Sequence, residues 1–173
     1  MAGAAVRVAV RDADLRQALR RLTAKGDAGL VQACLKNIGL AVVKQTRRHF
    51  EQQRDPEGQA WAPLNPDYAK GKRGTKILEE QGMAGGLEGS ITSVVHPGYV
   101  EIGTNKVYGA IHQFGGTIRP RSGEFLVFKL GGKTVLARKV TIPARPYLGL
   151  SPQDKAELLD IVEDHIVEIW NGK

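Results

Sequence analysis

A chain of 173 residues with 42% apolar residues, 21 glycines and 8 prolines has the length and composition of one globular domain with generous loops, and residues 1–173 read as a single unit. No stretch approaches the roughly 18 to 20 consecutive apolar residues of a membrane span, and Met1-Ala-Gly-Ala-Ala-Val-Arg7 lacks the charged-then-apolar layout of a signal peptide. The expectation is a soluble protein without a membrane partner, made in a cytosol, and its net charge of +7 raises the question of an acidic or phosphate-bearing partner.

Val6-Arg-Val-Ala-Val10 alternates, which predicts a short strand or extended arm over residues 1–10. Asp12 can cap a helix whose Leu15, Ala18, Leu19 and Leu22 form one stripe, ending near Gly26. A second helix is expected from Asp27 to Arg54, with Leu30, Val31, Cys34, Leu35, Ile38, Ala41, Val42 and Phe50 mostly three, four or seven apart. Asp55-Pro-Glu-Gly58 stops it, because proline disfavours helix in the residue before it. A loop with Trp61, Pro63 and Leu64 leads to a helical turn at Pro66 to Lys70 capped by Asn65.

Lys70-Gly-Lys-Arg-Gly-Thr-Lys76 holds four cations in seven residues, so it reads either as a solvated flexible loop or as a phosphate-facing one. With Gln81-Gly-Met-Ala-Gly-Gly86 it makes residues 55–87 a long, partly mobile insertion. The period then changes to two. Ser90–Val95 and Tyr99–Ile102 pair around His96-Pro97-Gly98, and Phe125–Leu130 and Thr134–Ile142 around Gly131-Gly132. Ser151-Pro152-Gln153-Asp154 is a capping box that opens a last helix striped by Leu158, Leu159, Val162, Ile166 and Ile169 or Trp170. The predicted fold class is α+β: N-terminal helices and a C-terminal helix packed on a roughly four-stranded antiparallel sheet, with a long basic Gly-rich loop.

Charge is unevenly placed. Residues 1–150 carry 23 basic and 12 acidic side chains, net +11, whereas residues 151–173 carry 2 and 6, net −4. Such a chain suits head-to-tail contact between copies of itself as well as nucleic acid, although 6% aromatics disfavours a base-stacking platform.

Evidence for chemistry is thin. Cys34, the one cysteine, excludes an intrachain disulfide and reads as a small core residue. His49, His96, His112 and His165 have no second ligand at zinc spacing, so no metal and no cofactor is assigned. Gly131-Gly132-Lys133-Thr134 mimics the end of a phosphate-binding loop, but Val127 stands where its first glycine belongs. Glu79, Glu80, Glu88 and Glu101 read as solvated charges. His112 lacks a nucleophile motif and reads instead as a turn-fixing residue before Gly115-Gly116, so no catalytic residue is assigned and the chain is not expected to be an enzyme.

Three motifs are more specific. Tyr99-Val-Glu-Ile-Gly-Thr104, Tyr108-Gly-Ala-Ile-His-Gln-Phe-Gly-Gly116 and Ile142-Pro-Ala-Arg-Pro-Tyr-Leu-Gly-Leu-Ser151 closely resemble, in order, the motif series of the phage virion morphogenesis family, also called the tail completion family, of Mu-like and P2-like tailed bacteriophages and prophages. Trp61-Ala-Pro-Leu64 and Leu78 match that family's upstream loop, and the resemblance spans about residues 27–170. It departs at Leu78-Glu-Glu-Gln-Gly-Met-Ala-Gly-Gly-Leu87, a glycine-rich stretch where such proteins usually have a short threonine-glycine-arginine-leucine turn. The resemblance implies a non-enzymatic virion component at the head-tail junction or top of the tail, a tail completion, tail terminator or neck protein. Its relatives form rings, commonly hexameric, beside other neck or tail-tube proteins.

Read physically, Ile142–Ser151 is a connector in which two prolines hold Arg145, whose planar fork suits a carboxylate on the same chain, a carboxylate on a neighbouring copy, or a phosphate. The candidate oligomer interface is Arg145, Tyr147, Leu148, His112, Gln113 and Phe114, with Tyr147 and Leu148 suited to core or interface packing and Ile111 and Phe114 able to be buried. Lys70, Lys72, Arg73 and Lys76 are candidates for contact with packaged DNA, weak and non-specific, or with an adjoining ring. The alternative reading is a small basic non-specific nucleic-acid-binding protein that grips phosphates with these four and with Arg47 and Arg48.

Overall fold

The computed structural model describes residues 13–25, 28–72, 74–79 and 86–171; the expected arm over residues 1–10, the cap at Asp12, and Arg73 and Glu80 lie outside them. Helix α1 (Ala13–Lys25) buries Leu22 completely, with Leu15, Ala18 and Leu19 packed on the same side. Helix α2 (Ala28–Gln52) buries a stripe from Cys34 and Leu35 through Ile38 and Val42 to Phe50, the three-four spacing that its sequence dictates. It ends two residues before Arg54. Gln53 turns into the left-handed region at φ 56°, Arg54 donates its N–H to the His49 carbonyl, and Asp55 then ties a tight turn by accepting from the Gln59 N–H at 2.7 Å.

The short helix α3 (Pro66–Gly71) starts as expected: Asn65 accepts from the N–H groups of Asp67 and Tyr68, and proline occupies the first turn where no donor is needed. Strands β1 (Thr92–His96) and β2 (Tyr99–Gly103) form an antiparallel hairpin with Val95 opposite Val100, and this ribbon lies on α2. Helix α4 (Gly109–Phe114) delivers the chain into β3 (Gly116–Ile118). Strands β4 (Leu126–Leu130) and β5 (Lys133–Ala137) pair around Gly131-Gly132, and β6 (Val140–Ile142) follows. Helix α5 (Pro152–Trp170) closes the fold, its capping box fully formed: Ser151 Oγ accepts from the Asp154 N–H at 3.0 Å and Asp154 Oδ2 accepts from the Ser151 N–H at 2.8 Å.

The α+β class stands, but the strands do not make one four-stranded sheet. Among the described residues six strands form three two-stranded antiparallel ribbons, β1-β2, β3-β6 and β4-β5. The reason lies in the segment expected as one long strand over Thr134–Ile142. It breaks at Arg138-Lys139, so its first half pairs back on β4 while its second half pairs with β3, and Pro143 then ends the ladder.

Among the described residues two apolar cores result. One joins the first, second and last helices through Leu22, Cys34, Ile38, Val42, Leu158 and Val162; the other gathers Phe50, Trp61, Leu87, Ile91, Tyr147 and Leu148 where α2 meets the 142–151 connector. In the second, the Phe50 ring stands edge-on to Trp61 at 5.4 Å and tilted on Tyr147 at 5.3 Å. Each of these side chains, fully buried, stabilises the fold by about 1.5–3 kcal/mol.

Candidate assembly interface

The connector is held from both flanks. Arg145, 5% exposed, donates from Nε to the Ala62 carbonyl at 2.8 Å and from Nη2 to the Pro63 carbonyl at 2.9 Å, while its backbone N–H reaches the His112 carbonyl at 2.7 Å. Desolvation lowers its pKa from the usual guanidinium value. Its fork thus serves two backbone carbonyls of the 61–64 loop, not a carboxylate or a phosphate. Trp61 Nε1 donates to the Pro146 carbonyl at 2.8 Å, so Trp61-Ala-Pro-Leu64 and the connector are mutually tied.

Gln113 is equally internal. Its Oε1 accepts from the N–H groups of Tyr147 and Leu148, each at 3.0 Å, and its Nε2 donates to the Leu148 carbonyl at 2.9 Å. The Tyr147 hydroxyl donates to the Gly109 carbonyl at 3.1 Å, and burial pushes its pKa up to about 12. His49 Nδ1 lies 2.9 Å from the Tyr147 carbonyl, with Nε2 3.7 Å from Asp154 Oδ2. With Gln45, which donates to Glu157 Oε2 at 3.0 Å, His49 is a polar member of the buried α2 stripe that anchors the start of α5. The sequence reading missed both. A polar residue recurring on an apolar stripe was the available signal.

Of the six residues expected at an oligomer interface, the fold therefore buries Arg145, Tyr147, Leu148 and Gln113 and leaves His112 half-buried beside the edge of Tyr108. All four are spent on holding the connector's shape. Phe114 is 64% exposed. The turn before β3 is fixed by the His112 backbone carbonyl, which accepts from Arg145, and by Gly115 at φ 69°, where a Cβ would sit 2.7 Å from the Ala144 nitrogen.

The basic loop is partly tied down. Lys70 pairs with Asp67 at 3.2 Å, Lys72 is half-buried and donates to the Glu79 carbonyl at 2.5 Å, and Lys76 is exposed. Gln53 grips the same loop, donating to the Ile77 carbonyl at 3.2 Å and accepting from the Ile77 N–H. Glu88, expected to be solvated, is half-buried, and desolvation raises its pKa while Lys76 opposes the shift. Among the described residues no group of three or more His, Cys, Asp or Glu is placed to hold a metal ion, and no helix is long and apolar enough to cross a membrane.

The β4-β5 ribbon presents an outer face that sequence reasoning did not single out. Val127 and Leu136 are cross-strand partners, 67% and 62% exposed, flanked by exposed Lys129 and Arg138. Leu126, Phe128, Leu130 and Val135 are half-buried on its other face, three of them lining a cleft of about 830 Å³ shared with β6 and the 63–79 segment. Apolar residues at both parities in Phe125–Leu130 were the signal, since a strand with one wet face alternates.

A family model for the phage virion morphogenesis family matches residues 10–167. The chain belongs to that family. Among similar proteins, Mu-like prophage FluMu G protein 2 of Haemophilus influenzae is 37% identical over 106 residues, 61% of this chain and 59% of its own length. Protein G of Escherichia phage Mu, a protein named for capsid assembly, is 26% identical over 156 residues, covering 88% of this chain and 90% of its own. FluMu G protein 1 of the same Haemophilus strain is 28% identical over 131 residues, 73% of each. No solved structure matches. Membership in the phage virion morphogenesis family gives the chain a structural or assembly role in building a phage particle, and the three motifs behind the resemblance prove to be parts of one unit: β2, α4 and the connector that α4 holds.

Proposed function

We propose that this protein is a non-enzymatic component of a tailed-phage virion. Copies of it form a ring, hexameric as in the resemblance noted above, at the head-tail junction or the top of the tail. There it completes the tail and joins it to the head, in contact with other neck or tail-tube proteins. It is made in the host cytoplasm and ends in the particle.

The observation that carries this reading is the exposed apolar pair Val127 and Leu136 on the two-stranded β4-β5 ribbon, a surface that one chain leaves to water. Phe114 adds to it. Family membership supplies the setting. The braced connector supplies stiffness, which a ring needs because its closure depends on a constant angle between neighbours.

The nucleic-acid reading draws less support. Lys70 and Lys72 already engage Asp67 and the Glu79 carbonyl, and phosphate contact would compete with both. Lys76 and the basic ribbon leave room for weak, non-specific contact with passing DNA.

Electron microscopy of particles assembled without this chain tests the proposal. Finished heads and tails left unjoined, or tails of uncontrolled length, are the expected results. Intact infectious virions would overturn it.

A further inference from the structure

The outer face of the β4-β5 ribbon has a counterpart elsewhere on the same chain. Residues 119–139 hold six basic side chains and one acidic, and residues 152–170 hold six acidic and one basic. On the ribbon, Val127 and Leu136 form an exposed apolar centre with Lys129 beside it; Arg138, also on that face, is already paired with Glu124. On α5, Asp160, Glu163, Asp164 and Glu168 are exposed, and Val167, also exposed, sits among them at helical spacing. Each surface is a small apolar centre set in charge, and the signs are opposite. The ribbon packs on α3, whereas α5 packs on α1 and α2, so the two faces belong to separate parts of the fold.

We infer that the β4-β5 ribbon of one copy docks, by its Val127 and Leu136 face, on the acidic face of α5 centred on Val167 of the next copy. This rests on the ring reading above and names the surfaces that would make it. Because the two surfaces differ, the contact is head-to-tail: it leaves a free ribbon at one end and a free helix at the other, and so repeats until a ring closes. Docking takes the apolar centres out of water and sets Lys129 against carboxylates at the rim, where it steers encounter and fixes register. DNA is the poorer occupant, because phosphates give Val127 and Leu136 nothing to pack on.

The test uses the full chain, purified and in assembling particles. Val127→Cys in one chain and Val167→Cys in another, mixed and treated with a short bis-thiol reagent, should give linked dimers, while each variant alone gives none. Both substitutions in one chain should give a ladder up to the size of the assembly. Native Cys34 is buried, with its thiol pushed up to about 11, and does not compete.

Lys129→Glu should weaken self-association by about threefold or more, and Asp164→Lys with Glu168→Lys in the partner chain should restore it. Rescue by the partner separates a lost contact from a lost fold. Assemblies that form without a 127–167 link and ignore the reversals would overturn this docking and leave the ring reading standing. Chains that associate neither alone nor in particles would remove both. Reversals that abolish salt-sensitive retention of DNA while copies still associate would assign the ribbon to nucleic acid instead.

Discussion

Gln113 pairs with Leu148 as a neighbouring strand would: its side-chain amide donates to the Leu148 carbonyl at 2.9 Å and accepts from the Leu148 N–H at 3.0 Å. The same oxygen also accepts from the Tyr147 N–H. Beyond Ile142 the proline-rich connector lies in no sheet, and three peptide groups of its Tyr147 and Leu148 are satisfied by this one side chain of α4. Gln113→Ala removes three buried hydrogen bonds and should lower stability by about 3 kcal/mol. Gln113→Glu keeps the acceptor but points a second oxygen at the Leu148 carbonyl, so it should also destabilise. Chemical denaturation of both variants checks this, with equal stability to the parent as the adverse result.

Arg145→Lys should destabilise by about 2 kcal/mol. A single ammonium cannot reproduce the parallel donation to the Ala62 and Pro63 carbonyls, and the buried acceptor left over is costly. Limited proteolysis should accelerate within residues 62–79, because the loop is what the fork holds. If cleavage is unchanged, the fork is not what fixes that loop.

Gly115→Ala should cost more than about 1 kcal/mol. Its φ of 69° disfavours an L side chain, and the new Cβ would meet the connector backbone at Ala144, which has no flexible end to yield. Gly58 gives a comparison, a positive φ of 83° with nothing near its Cβ. A thermal midpoint no lower for Gly115→Ala than for Gly58→Ala would be the adverse result.

Stability should fall at alkaline pH. Tyr147 is raised from 10.0 to about 12 and Cys34 from 9.0 to about 11, in each case by desolvation of the charged form. Both groups are neutral when folded, and the unfolded chain loses the protons first. The stabilisation is therefore complete below about pH 9 and is lost as pH rises through the folded values, by up to about 1.4 kcal/mol per pH unit for each group. Tyr147→Phe should flatten the curve between about pH 10 and 12, and Cys34→Ala between about pH 9 and 11. Unfolding curves that stay parallel to the parent's across those windows would contradict the assignment.

Much of this protein was already legible along the chain. The stripes of α1, α2 and α5, the Asn65 cap, the Ser151–Asp154 capping box and the two tight hairpins are local features, fixed by the spacing of apolar residues and by the few residues that suit a cap or a turn. The motif series identified the family for the same reason, being short runs of fixed order. Tertiary structure decided which partners the polar groups found. Arg145 turned to backbone carbonyls 82 and 83 positions away, and the segment expected as one strand over Thr134–Ile142 split between β4 and β3. Neither outcome is encoded by spacing, because hydrogen-bond partners and strand pairing over long separations depend on which surfaces the whole chain brings together. Exposure obeys the same rule: Leu136 and Leu158 are the same residue type, and only the packing around them leaves one in water and the other in the core.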